Sequence, residues 1–241
     1  MKKALSHTLK YLTVFSSLGG VALSLIRAQK DGYSHFLKRL LYFTAQSNIW
    51  IGLTVLAILF LPLTKAEKRE KRAERLYLLR YVFTVSITIT GLIFCGLLAP
   101  FSDGSYRPWT VSNVLTHVCA PVFAVADYFL DGGRRPARDR RVFLCVLPPF
   151  FYFLFTGVLE FFGVDFGRGV AYPYFFFNFR SPVGLFGVSL TGPYPFYLGA
   201  FYWLILFMLI VLGFGFLYAK KNDPPRSEKS VTGRNSTYYI L

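Results

Sequence analysis

Apolar and polar residues do not alternate along most of this chain. Apolar residues come instead in six long runs, at about 8–27, 41–63, 77–99, 111–130, 142–162 and 196–219. Each run is close to the ~20 residues that an α-helix needs to cross ~30 Å of hydrocarbon. The pattern predicts an all-α membrane protein, a bundle of six transmembrane helices forming one domain over 1–221. The fifth run carries Pro148 and Pro149, which predicts a kink whose freed carbonyls need partners from neighbouring helices or water. There is no internal repeat.

Two stretches fall outside the runs. Residues 163–195 are long for a connection and rich in Tyr and Phe. A stretch this aromatic is not disordered. It either dips into the outer face and covers the bundle, or forms an aromatic belt at the interface. The polar tail 222–241 has the composition of a disordered segment.

Composition changes the picture little. Hydrophobic residues make up 54% of the 241 and charged residues 16%, and the mean hydropathy is +0.44, too apolar for a soluble domain. The formal net charge of +15 would suggest nucleic acid in a soluble protein. Here the basic residues gather between the runs, so topology accounts for them and no nucleic-acid partner is expected. The predicted loops 64–76 and 131–141, the tail after the sixth run, and Lys2, Lys3 and Lys10 carry most of them. All lie on one side of a six-helix bundle, which predicts a multi-pass protein with N- and C-termini in the cytoplasm. Arg27, Lys30, Lys38 and Arg39 run against that rule. The opening resembles a signal peptide, but no small-residue cleavage site closes it, so the first helix reads as retained. Cys95, Cys119 and Cys145 lie inside apolar runs and show no disulfide or metal spacing. The oligomeric state is left open.

Polar residues inside a membrane bundle are costly, so they point to candidate chemistry. Thr44, Ser47 and Asn48 share one face of the second helix. Taken alone they fit helix-to-helix hydrogen bonding as well as a site. In the fourth helix, Asn113, His117, Ala120, Ala124 and Asp127 form one stripe. Pro121 has no N–H and leaves the His117 carbonyl without its helical partner. The alternating hydroxyls Thr84, Ser86, Thr88 and Thr90 read mostly as packing. Glu160, an acid near the outer end of the fifth helix, belongs either to the pocket or to the interface.

The second and fourth helices cross in the same direction. With a rise of ~1.5 Å per residue, Thr44 and His117 both fall roughly 5–10 Å below the outer interface. A hydroxyl and an imidazole at one depth suggest a nucleophile and its general base. Asp127 is about 15 Å from His117 along the helix, too far to orient it. Asn113 is nearer, and Asn48 and Asn113 are candidate donors to an oxyanion. Ser47 takes a supporting place. No metal, nucleotide or other cofactor motif is present.

The segment Phe43-Thr44-Ala45-Gln46-Ser47-Asn48, the segment Asn113-Val114-Leu115-Thr116-His117, the six helices and the run Tyr172-Pro173-Tyr174-Phe175 together resemble the androgen-induced-gene family and its bacterial Pro-rich six-helix relatives. The resemblance covers about residues 8–219 and is closer to the bacterial Pro-rich branch than to the vertebrate members. The vertebrate members are threonine hydrolases of fatty acid esters of hydroxy fatty acids. The resemblance implies Thr44 as nucleophile, His117 as its partner, and a lipid or fatty acyl ester substrate reached in the membrane. The alternative is a small transporter, receptor or lipid-binding membrane scaffold that uses the same polar cavity. A third option is a bundle whose polar residues only pack.

Overall fold

The computed structural model of the protein describes residues 2–102, 107–131, 139–167, 169–180 and 198–220. Within them, six helices are long and apolar enough to cross a membrane: α1 (Lys2–Arg27), α2 (Phe43–Leu63), α3 (Ala66–Leu98), α4 (Val111–Leu130), α5 (Arg140–Phe161) and α6 (Ala200–Tyr218). Large apolar side chains face outward on every one, among them Phe15, Phe60, Leu92, Val122, Phe151 and Leu209. The interior instead holds many small hydroxyls, including Thr13, Ser17, Ser47, Thr84, Ser86 and Thr90. Water as solvent would favour the reverse. A lipid environment favours this arrangement, because hydrocarbon accepts the outer face while small polar residues let helices approach and hydrogen-bond.

Helix α3 is the hub, packed against α2, α4, α5 and α6, while α1 packs against α2 and α4. Tyr81, Val85 and Ile89 of α3 meet Tyr128, Cys145 and Val211 from three other helices. Two glycines bring α4 into close contact on both sides. A Cβ on Gly20 would stand 2.7 Å from Thr116 Cγ2, and one on Gly91 would stand 3.0 Å from the His117 carbonyl oxygen. Between them, over Leu115–Cys119, α4 widens into a π-helical turn just before Pro121. That is where the missing proline N–H interrupts the regular ladder.

Several expectations are corrected. The stretch 64–76 is not a loop, because α3 already starts at Ala66. Its residues AEKREKRAER contain no Gly or Pro and are good helix formers, so the helix runs on past its apolar part. Helix α1 likewise begins at Lys2 and not near residue 8. Pro148 and Pro149 do not kink the middle of a helix. They stand in the first turn of the α-helical part of α5, Leu147–Phe161, after a 3-10 segment at Arg140–Val146. N–H groups in a first turn have no intrahelical partner, so proline costs nothing there.

A cluster of charges lies partly inside the bundle. Asp127 accepts from Ser6 Oγ (2.7 Å), Lys10 Nζ (3.0 Å) and Arg80 Nη2 (2.7 Å). Asp131 pairs with Arg80 and, at 3.5 Å, with Lys10. This ties α1, α3 and α4 together, with two cations balancing two carboxylates. Lys10 was assigned to a basic flank and is buried here. At the other end of the bundle, Lys38 meets Asp165 at 2.5 Å and Arg39 meets Asp31. Two of the cations that run against the topology rule are therefore neutralised by acids.

The part of 163–195 that is described dips into the bundle. Phe176 and Phe177 are buried with Phe43, Tyr152, Trp203 and Phe207. Residues 181–197 and the tail 222–241 lie outside the described residues.

Candidate functional site

Helix α2 begins sharply. Tyr42 caps it in an extended conformation, and the helix starts at Phe43. Thr44 is therefore in the first turn, where a backbone N–H finds no acceptor within the helix. That N–H points to the Tyr174 hydroxyl at 3.4 Å. The Thr44 side chain faces α4, and Oγ1 stands 3.2 Å from His117 Nε2 and 3.2 Å from the Tyr174 hydroxyl.

His117 is held from three sides. Its Nδ1 is 3.0 Å from the Asn113 carbonyl and 3.0 Å from Thr116 Oγ1. Its ring stacks on Phe94 of α3, with centroids 4.1 Å apart. The proton positions follow from these partners. A carbonyl only accepts, so Nδ1 of the neutral imidazole carries the hydrogen and Nε2 presents its lone pair. Thr44 then donates to Nε2. Its only hydroxyl proton is thereby used, so Tyr174 donates to Thr44 Oγ1.

Two hollows meet at Thr44. A chamber of about 470 Å³ has a mixed lining, with Arg39, Thr44, Asn113, His117 and Tyr174 among its polar residues and Leu97, Leu98 and Phe101 among its apolar ones. A narrow slot of about 40 Å³ runs from Thr44 between Phe43, Ile89, Ile93, Pro149 and Phe207. Thr44 and Tyr174 line both. Burial pushes the Tyr174 phenol up to about 12 and raises Tyr42 well above the usual tyrosine range. The hydrogen bond from Lys38 holds the Asp165 carboxyl below the usual carboxylate range.

The other candidate residues divide. Asn113 lines the chamber. Its backbone carbonyl, not its amide, orients His117, and its Nδ2 donates to the Arg107 carbonyl at 3.3 Å. Asn48 is not placed to serve an oxyanion, because its amide donates to the carbonyls of Thr44 (2.8 Å) and Thr116 (3.1 Å). It ties the backbone at Thr44 to the backbone at Thr116, across α2 and α4. Ser47 bonds Thr90 at 2.9 Å and joins α2 to α3. Asp127 belongs to the ion cluster at the far end of α4. Glu160 lies away from the chamber, 3.6 Å from Arg180.

Sequence reasoning assigned no role in the site to Tyr174 or Arg39. The signal for Tyr174 was faint, a tyrosine after a proline in a stretch without helical period. Arg39 was read only as an exception to the topology rule.

A hydroxyl in hydrogen-bond contact with a neutral imidazole, beside a phenol and in the wall of a chamber, is suited to adding an oxygen nucleophile to a carbonyl. Among the described residues, no three His, Cys, Asp or Glu side chains are grouped as a metal ion requires. Compared with protein-family models, curated proteins and solved structures, the chain matches none of them.

Proposed function

We propose that the protein is a membrane-embedded hydrolase of lipid esters that works through an acyl-threonine. The observation that carries this reading is the contact between Thr44 Oγ1 and His117 Nε2, with Nδ1 anchored on the Asn113 carbonyl. That anchor supports the tautomer a general base needs.

The steps follow. His117 takes the proton from Thr44 as Oγ1 adds to the ester carbonyl. Collapse of the adduct expels the alcohol, which receives the proton from His117. A water then gives a proton to His117 and attacks the acyl-threonine. The fatty acid leaves as Thr44 regains its proton. The β-methyl of threonine crowds both additions, so turnover is slow. The chamber of about 470 Å³ suits the ester, with His117 and Tyr174 beside the reacting carbonyl and Leu97, Leu98 and Phe101 offering apolar surface to the chain. The resemblance to threonine hydrolases points the same way and makes fatty acid esters of hydroxy fatty acids the first substrates to try. Substrate would reach the chamber from the bilayer. The basic segments support cytoplasmic termini.

The test is labelling by an alkyl fluorophosphonate, which forms a stable adduct with an activated hydroxyl. The full chain should label, and Thr44→Ala and His117→Ala should each abolish labelling while keeping the wild-type thermal transition. A transporter, receptor or scaffold using the same chamber would label equally in all three, or in none.

A further inference from the structure

The proposed reaction lacks one component. When Oγ1 adds to an ester, the carbonyl oxygen becomes an anion, and in an apolar interior that charge needs a donor placed in advance. Asn48, the amide nearest Thr44 in sequence, has its donors committed to two carbonyls. Arg39 also lines the chamber, with Nη2 paired to Asp31, the guanidinium stacked on Tyr33 and Nε unpartnered, but it is Tyr174 that touches Thr44 Oγ1.

We infer that Tyr174 is the oxyanion donor of this site, and so a further catalytic residue. The inference rests on the hydrolase reading. Its first support is position. The Tyr174 hydroxyl is 3.2 Å from Thr44 Oγ1 and lines both hollows. In the tetrahedral adduct, the former carbonyl oxygen and Oγ1 are bonded to the same carbon. A donor already in contact with Oγ1 is therefore one small shift from the oxyanion. Its second support is proton accounting. Thr44 gives its hydrogen to His117, so the phenol already donates toward the reacting oxygen. Once Oγ1 has become an ester oxygen it accepts poorly, and the same O–H turns to the anion beside it. No proton leaves Tyr174. It stays bonded to the phenol oxygen throughout, while His117 carries the proton that moves.

The third support is rigidity. The Tyr174 ring stacks on Phe176, with centroids 5.1 Å apart and planes 12° from parallel. It meets Tyr42 edge-on at 5.8 Å and lies near Tyr152 at 6.4 Å. A donor clamped in this way needs little rearrangement as charge develops. The fourth support is polarisation. The Thr44 N–H, at the positive end of α2, points at the phenol oxygen from 3.4 Å. That bond strengthens the O–H as a donor. Burial also keeps the phenol protonated at neutral pH.

The test uses the full chain in lipid nanodiscs, with a medium-chain p-nitrophenyl ester and an alkyl fluorophosphonate as probes. Tyr174→Phe keeps the ring and its stacking and removes only the hydroxyl. Loss of one oxyanion donor lowers kcat by about 10²–10³-fold. That loss is expected here, with KM and the thermal transition unchanged and phosphonylation of Thr44 slowed in parallel. A purely structural tyrosine would shift the thermal transition or KM instead. Fluorotyrosine incorporated at 174 keeps the O–H but is more acidic. It should retain activity and move the alkaline limb of the kcat profile to lower pH. Tyr174→Phe with wild-type kcat, in a protein that Thr44→Ala inactivates, overturns the role of Tyr174 and leaves the acyl-threonine reading standing. Unchanged labelling in both Thr44→Ala and His117→Ala overturns the hydrolase reading and this inference with it.

Discussion

Asp127→Ala removes the centre of the ion cluster at the end of the bundle remote from Thr44. Asp127 accepts from Ser6, Lys10 and Arg80, and the side chains of Lys10 and Arg80 are 6% and 2% exposed. Without it, two buried cations share a single carboxylate, Asp131, which is itself 26% exposed. Breaking a buried pair by deleting one partner typically costs ~3–5 kcal/mol, mostly from the charge left behind. The expected loss is of that order, measured by denaturation in mixed micelles with increasing dodecyl sulfate. Removing a cation as well should recover part of it. The double variant Asp127→Ala with Arg80→Leu leaves Lys10 facing Asp131 in balance, and is expected to be more stable than Asp127→Ala alone. The site should be largely spared, because ten residues of helix separate Asp127 from His117 by about 15 Å. Labelling of Thr44 is expected to stay within about twofold of wild type at temperatures where both proteins are folded, as sites this far apart with no shared partners act independently. A cost below ~1 kcal/mol, the range of exposed pairs, or strictly additive single and double variants, would refute the claim that the cluster acts as a buried, charge-balanced clamp.

Two further outcomes follow from the geometry. Gly91→Ala places a methyl 3.0 Å from the His117 carbonyl oxygen and 3.1 Å from Pro121 Cγ, so α4 must shift away from α3. The shift needed is a few tenths of an ångström, and since a misplacement of about 1 Å costs about a hundredfold, labelling should fall by roughly threefold to tenfold. Gly213→Ala, with nothing within 4 Å of the new methyl, should leave labelling unchanged. Alkaline titration tests the docking of the aromatic segment. The Tyr174 phenol lies at about 12 in the folded protein, against about 10 for an unperturbed tyrosine. The folded state holds that proton more tightly, so its contribution to stability is complete below pH ~10 and is lost as pH rises through ~12. Near-ultraviolet circular dichroism should report that step, and Tyr174→Phe should remove it.

The six long helices were legible because each carries a long apolar run, with large side chains facing outward. Their ends were less legible, because hydropathy reports where the chain is apolar and not where it is helical. Residues Ala66–Arg75 are charged and helical at once. Pro148 and Pro149 misled because proline breaks a helix interior but suits a first turn, and the position of that turn is set by the 3-10 segment before it. The juxtaposition of Thr44 and His117 was legible from two facts, the direction of each helix and the rise per residue. The role of Asn48 was not legible. An amide can donate to a neighbouring backbone or to a substrate, and only the carbonyls of Thr44 and Thr116 decide between them. Periodicity put Asp127 on the same stripe as His117, but a stripe names no partners. Lys10 and Arg80 reach Asp127 from two other helices. Tyr174 lies in a segment with no period, so nothing in the sequence set its depth or direction.

The most direct measurement is the mass of the covalent adduct. After treatment with an alkyl fluorophosphonate, the protein is digested with trypsin, which frees residues 40–65 between Arg39 and Lys65. Fragmentation should locate the phosphonyl group on Thr44, and the adduct should be missing from His117→Ala. An adduct on Ser47, Thr54 or any residue outside this peptide, or full labelling without His117, would contradict the account.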